Sequence, residues 1–167
     1  METASYYEIW VDNSSYFSSR EYEGFTVGDE TTHTLATSLN DGRYYWKVRA
    51  YNDLDVPGAW SAYRSFVVDK VPPAAPSLYS PADNASVRGT PTYAWLAASG
   101  ANAYEFRYDD DEDIGTEPIY TSPVLTVRTH KPPTQDPDDY YWQVRARDAA
   151  GNWGDWSTIR KITIKPL

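Results

Sequence analysis

The sequence predicts an all-β chain folded as two β-sandwiches in tandem, and three observations carry this prediction. The segments 44–50 and 140–146 alternate strictly between apolar and polar residues, as half-buried strands do. These segments lie 96 residues apart, and Tyr7 and Tyr104 lie 97 apart, so the chain contains a repeat with the length of a small β-sandwich. The 15 Tyr, seven Trp and 12 Pro favour strands and turns over helices.

The alternation assigns the strands of each unit in turn. In each unit a strand that begins at Tyr7 or Tyr104 comes before a hairpin, which Phe66 and Val68 close in the first unit and Ile162 and Ile164 close in the second. In the second unit two further strands, near Leu78 and at 92–95, come first. The strongest predicted strands are 7–12, 44–52, 104–109 and 140–148, with weaker strands near 22–27, 33–36, 117–120 and 124–128.

A proline-rich stretch separates the two units. Three prolines within residues 72–76 remove backbone donors and favour a short, stiff, extended linker. We therefore place the first unit at residues 1–69 and the second at residues 70–167. Because 34 residues precede Tyr104 in its unit but only six precede Tyr7, we expect the first sandwich to lack its two N-terminal strands.

Composition excludes several classes of partner and chemistry. The net charge of −9 disfavours nucleic acid and insertion into an anionic membrane. With no Cys, the chain has no disulfide, no thiolate zinc ligand and no thiol nucleophile. Residues 1–20 contain no basic-then-apolar leader, and we expect a soluble piece of a longer protein.

These landmarks resemble the fibronectin type III family, in the variant found in bacterial and archaeal surface proteins. The second unit matches over nearly its whole length and the first from the third strand onward. The matching residues of the second unit are a proline-rich lead-in, Trp95 in the second strand, Tyr104 to Phe106 in the third and Tyr140 to Ala146 in the sixth. The resemblance implies a sandwich of the immunoglobulin-like class.

The resemblance also implies a tyrosine corner at Tyr44, whose hydroxyl would bond the backbone of the crossover containing Leu39. The second unit departs from this pattern, because Gln135 aligns with Leu39. We expect other residues to pack the corner of Tyr140.

The segment from Trp153 to Ser157 resembles the Trp-Ser-x-Trp-Ser box of cytokine-receptor type III domains, in which indoles interleave with outward-facing arginines. In this sequence the ladder residues are Trp153, Trp156, Arg145 and Arg147 in the second unit, and Trp60 and Arg49 in the first. Because Pro57 stands at the position of Trp153, we expect a shorter ladder in the first unit. A structural role is favoured, since a cation is available to cover each indole.

Few residues suggest chemistry. The acidic run from Asp109 to Asp113 could bind Ca²⁺, but it lacks the spacing of a calcium loop, and a solvated hairpin loop is favoured. His33 and His130 lie in separate units without paired ligand spacing. No catalytic or phosphate-binding motif is present, so we expect neither an enzyme nor a cofactor.

One exposed aromatic surface leaves a binding function open. Trp10 should point outward beside Tyr45 and Lys47, where it could stack on a sugar or anchor a protein. The favoured alternative is that Trp10 only covers the Lys47 side chain or meets the neighbouring unit.

The predicted function is a non-enzymatic spacer or adhesion-type module of an extracellular or cell-surface multidomain protein. The alternatives are a carbohydrate-binding accessory module of a secreted polysaccharide-degrading enzyme and a receptor-like protein-binding pair. We also predict self-association as a homodimer, because an incomplete first unit would expose the apolar side chains of its sheet.

Overall fold

The structure is a computed structural model that describes residues 4–167. Within that range the chain forms twelve β-strands and no helix. It divides into two compact units, one running to Lys70 and the other from Val71 to Leu167. Residues 1–3, which belong to the stretch considered for a leader, lie outside the described range.

The first unit is a single antiparallel sheet with strand order β2-β1-β3-β4. Its strands are β1 (Tyr6–Asp12), β2 (Tyr22–Phe25), β3 (Gly42–Tyr51) and β4 (Arg64–Val68). Ile9 pairs with Val48 and Val11 with Trp46 across β1 and β3. Because side chains alternate across a strand, these four residues share one face of the sheet.

The second unit contains two sheets, a three-stranded sheet ordered β10-β7-β5 and a five-stranded sheet ordered β6-β12-β11-β8-β9. Its strands are β5 (Leu78–Ser80), β6 (Ala85–Arg88), β7 (Tyr93–Trp95), β8 (Ala103–Asp109), β9 (Tyr120–Thr121), β10 (Thr129–His130), β11 (Asp139–Arg147) and β12 (Arg160–Lys165). All strand pairs are antiparallel except β12 with β6.

The core of the second unit lies between its two sheets. The Tyr93 ring centroid, from the smaller sheet, lies 4.6 Å from that of Phe106 and 4.9 Å from that of Trp142 in the larger sheet. Tyr93, Phe106 and Trp142 are fully buried. Trp95 packs against Tyr104 in the same layer, at 5.7 Å. The complete sandwich therefore buries its aromatic face without disulfides.

The corresponding face of the first unit is only half-buried. Tyr7, Ile9, Trp46 and Val48 take the places of Tyr104, Phe106, Trp142 and Val144, which are buried. Among the described residues of the first unit, no second sheet lies over them. This confirms the predicted all-β class, and the first unit has a single sheet among its described residues.

The weaker strands are partly as predicted. β2 and β9 lie at or beside their predicted places. Residues 33–36 form no strand, and the predicted strand near 124–128 is replaced by β10 and an isolated bridge between Leu125 and Tyr104. Residues 33–36 form no strand because the described residues of the first unit include no counterpart of β7, the strand with which β10 pairs.

The corner prediction was wrong for the first unit. Tyr44 is buried and stacks on Phe66 at 5.8 Å, but its hydroxyl forms no hydrogen bond with any described residue. Lys70 holds the crossover instead, since its backbone N–H donates to Asp41 and its ammonium donates to the Leu39 carbonyl.

Gln135, which aligns with Leu39, is buried in the second unit. Its Oε1 accepts a 3.0 Å hydrogen bond from the Tyr93 hydroxyl, and its backbone N–H donates to Thr90 Oγ1 at 2.8 Å. Burial raises the pKa of Tyr140, and a backbone hydrogen bond from Asp136 opposes that rise.

Candidate functional site

Aromatic rings and cations alternate along the outer face of the second unit. The Trp153 ring centroid lies 5.2 Å from Arg147 Cζ and 4.6 Å from Arg145 Cζ. The Trp156 centroid lies 4.7 Å from Arg145 Cζ and 4.0 Å from Arg107 Cζ. The order along this ladder is therefore Arg147, Trp153, Arg145, Trp156 and Arg107.

The backbone fixes the two indoles over β11. The segment 153–157 runs beside that strand, and Gly154 N donates a 2.8 Å hydrogen bond to Ala146 O. A Cβ at Gly154 would lie 2.1 Å from the Pro73 carbonyl oxygen, so the close approach of the chain here requires glycine. Arg145 and Arg147, on the outer face of β11, then meet the two rings.

Arg107 of β8 completes the ladder, and sequence reasoning missed it. It pairs with Gln143 of β11 in the sheet register, and its Nε donates to the Gln143 amide oxygen at 2.8 Å. Burial and the neighbouring Arg145 charge lower the pKa of Arg107. The signal was available, because the alternation of residues 104–109 puts Arg107 on the outer face.

A second ladder covers the outer face of the first unit. The Trp60 ring centroid lies 4.6 Å from Arg49 Cζ and 4.7 Å from Lys47 Nζ. The Trp10 ring lies 4.4 Å from that of Trp60, and it is covered by Lys47 at 4.8 Å and Arg20 at 4.7 Å. Each ring of this ladder contacts two cations.

The first-unit ladder is not shorter than the second, contrary to the sequence expectation. Pro57 does take the place of Trp153. Pro57 forms an isolated β-bridge with Tyr51, and Trp153 forms the equivalent β-bridge with Arg147. Trp10 replaces the indole that is missing at Pro57. It stands where the second unit has Arg107, and its ring contacts Arg20 and Lys47.

A buried carboxylate supports the ladder of the first unit. Glu8 is only 2% exposed and accepts hydrogen bonds from Arg49 Nε at 2.6 Å, Trp10 Nε1 at 2.6 Å and the Tyr51 hydroxyl at 2.9 Å. In the second unit, Glu105 Oε2 accepts a 2.7 Å hydrogen bond from Nε of the equivalent arginine, Arg145. Sequence reasoning missed both carboxylates. A glutamate occurs at the same position of both units, paired with an arginine of the adjacent strand, and this recurrence was a usable signal.

The aromatic surface proposed for ligand binding is largely occupied by the protein itself. Trp10 is half-buried, and its ring meets Trp60 and two cations. Tyr45 lies edge-on to Tyr63, with centroids 5.6 Å apart, and Tyr63 is 55% exposed. The structure thus brings Trp10 and Tyr45 to one face but leaves no bare Trp10 ring for stacking.

The acidic run is an ordered hairpin loop. Asp109 accepts hydrogen bonds from the backbone N–H of Asp111 at 3.1 Å and of Ile119 at 3.0 Å. Burial raises the pKa of Asp109, but these hydrogen bonds lower it more. In residues 4–167 no group of three or more His, Cys, Asp or Glu side chains is placed to hold a metal ion.

The two histidines occupy equivalent places in the two units. His33 Nε2 lies 2.7 Å from the Tyr22 hydroxyl, and His130 Nε2 lies 2.9 Å from the Tyr120 hydroxyl. Burial lowers the pKa of His130. Each histidine ring is thus a structural partner of a tyrosine, which lies on β2 in the first unit and on β9 in the second.

An open apolar groove lies on the sheet face of the first unit. It encloses about 510 Å³, and its floor is the sheet face while residues 30–33 and Leu35 form a wall. The floor residues are Tyr7, Ile9, Val11, Trp46, Val48 and Phe66. Sequence reasoning identified most of the floor but not the wall, whose path depends on the loop.

No helix in residues 4–167 has the length and apolar character needed to cross a bilayer.

Comparisons with known proteins bear on the fold. No protein-family model and no curated protein matches the chain. The FN1-FN3 domains of chicken CNTN1 are 16% identical with a TM-score of 0.59, and the match covers 97% of this chain but only 56% of that chain. The fibronectin(III)-like modules of Clostridium thermocellum CbhA are 15% identical with a TM-score of 0.60, covering 99% and 80%. The likeness shows that this chain has the fibronectin type III-like β-sandwich fold.

Proposed function

We propose that this chain is a non-enzymatic β-sandwich module of an extracellular multidomain protein, where it spaces or presents neighbouring domains in a spacer or adhesion role. The fold supports this proposal, because both similar structures consist of domains or modules of the same fold. The proline-rich segment at 72–76 adds stiffness between successive units.

The ladders are the observation that carries the proposal. Both outer faces place their tryptophans against cations, with Trp60 between Arg49 and Lys47 and Trp156 between Arg145 and Arg107. Such contacts contribute about 0.5 to 1 kcal/mol each at exposed sites. These contacts stabilise the outer surface of each sheet. The indole rings are therefore covered by cations of their own unit and have a structural role.

The same contacts disfavour a carbohydrate-binding module. Sugar stacking needs a flat aromatic face open to solvent, but the Trp10 ring is contacted by Lys47, Arg20 and Trp60. A sugar would have to displace a cation from the ring before it could stack.

Affinity electrophoresis tests this function. Wild-type chain should migrate equally in gels with and without soluble xylan, mixed-linkage glucan or hydroxyethylcellulose. Trp10→Ala and Trp156→Ala should lower the urea midpoint without changing migration, because both rings serve the fold. Retardation of the wild type that Trp10→Ala abolishes, and Trp156→Ala does not, would establish the carbohydrate alternative instead.

A further inference from the structure

The second unit shows what fills the space that is open in the first. Ile9 and Trp46 stand where the second unit has Phe106 and Trp142. In the second unit the ring of Tyr93 covers both, with centroids 4.6 and 4.9 Å away. The groove therefore has the position of a bound aromatic strand.

The wall of the groove offers an unpaired backbone edge. In the second unit, β10 pairs with β7: His130 lies opposite Tyr93, and Trp95 N donates to Arg128 O at 3.1 Å. By the repeat, Thr31 takes the place of Arg128. Within the described chain, residues 31–35 form no hydrogen bond with another backbone group.

His33 is already held in the place of its β10 counterpart. Its Nε2 lies 2.7 Å from the Tyr22 hydroxyl, matching the 2.9 Å contact of His130 with Tyr120. The acceptor edge is thus positioned before any strand is added. An unpaired edge beside an apolar groove is the arrangement used in β-augmentation.

Charge selects the chemistry of the strand. Asp29 and Glu30 precede residues 31–35, and no Lys or Arg is among the described residues that line the groove. Glu30 itself lines the groove. A strand flanked by basic residues complements this rim, whereas a second copy would bring the same acidic rim against it.

We propose that the groove of the first unit binds one antiparallel β-strand of a partner polypeptide, with aromatic residues at alternate positions and basic flanking residues. Its backbone pairs with residues 31–35. One aromatic side chain inserts over Ile9 and Trp46, as Tyr93 does over Phe106 and Trp142 in its own unit. The other packs on Tyr7, as Trp95 does on Tyr104. This site is distinct from the ladders and independent of the spacer role.

A peptide of residues 88–98 is the probe, because it contains the Tyr-Ala-Trp strand, Arg88 and no acidic residue. The full-length chain is titrated into the amidated, fluorescein-labelled peptide, and binding is followed by anisotropy. Hydrogen exchange of residues 31–35 is measured with and without the peptide. The matched control peptide has the changes Tyr93→Ser and Trp95→Ser.

Saturable 1:1 binding, protection of residues 31–35 and at least tenfold weaker binding of the control peptide are expected. Protection of these amides reports the strand pairing, because in the free chain none of them is bonded to another backbone group of the described residues. Glu30→Lys should weaken binding with no change in the melt.

Equal binding of the two peptides would overturn the proposal, as would binding without protection of residues 31–35. So would a self-associated chain that the peptide does not displace, since a second copy would then be the occupant. Full binding by a well-folded Glu30→Lys variant would contradict the role given to the charge of the rim.

Discussion

Arg49 donates a hydrogen bond from Nε to Glu8 Oε2 at 2.6 Å, linking β3 to β1 beneath the first-unit ladder. Burial raises the pKa of Glu8, but hydrogen bonds from Arg49, Tyr51 and Trp10 lower it more, so the pKa lies below its ordinary value. The folded chain thus binds this proton more weakly than the unfolded chain does.

Acid should therefore destabilise the first unit through Glu8. A lowered carboxyl pKa gives stability that is present above the unfolded value of about 4.3 and is lost as pH falls through the folded value. Glu8→Gln should lower the urea midpoint at pH 7, and its difference from wild type should shrink towards pH 3. Glu23→Gln is the control, because its pair with Arg20 is exposed and should contribute little. A difference from wild type that is constant with pH would contradict the role given to the Glu8 charge.

Trp142→Ala should be more damaging than Trp156→Ala. Trp142 is fully buried between the sheets, and its truncation should cost about 3 to 5 kcal/mol. Trp156 is half-buried and should lose mainly its contacts with Arg107 and Arg145. Urea midpoints of the two variants decide the matter, and equal losses would mean that the ladder contributes as much as the core.

Residues 70–167 should fold alone, whereas residues 1–69 should not. The second unit has both sheets of its sandwich, but the described part of the first has one sheet whose apolar face stays half-buried. Each fragment is expressed separately and melted with circular dichroism as the readout. A cooperative, monomeric melt of residues 1–69 would refute the prediction.

Self-association through the first unit stays a prediction. With the groove unfilled, its apolar floor favours a concentration-dependent dimer. Light scattering should give a mass above 19.0 kDa at high concentration that falls to 19.0 kDa on dilution. Residues 70–167 alone serve as the control and should be monomeric throughout. A chain that is monomeric at every concentration, with slowly exchanging amides in residues 5–69, would rule the dimer out.

Local pattern in the sequence was enough to predict the strands and their faces. The alternation at 44–50 and 140–146 identified the buried face, because side chains of a strand point to opposite sides in turn. The same rule put Arg145 and Arg147 on the outer face, where the indoles of the box could meet them.

The tertiary structure decided the features that depend on neighbours distant in sequence. Arg20 joined the ladder and Glu8 became buried only because loops and paired strands brought them against Trp10. Residues 33–36 matched a strand pattern but formed none, since a strand needs a partner for its backbone groups. Sequence alone thus determined the strongly alternating strands and their faces, whereas strand pairing and loop paths decided whether the weaker strands form, which charges are buried and which edge stays open.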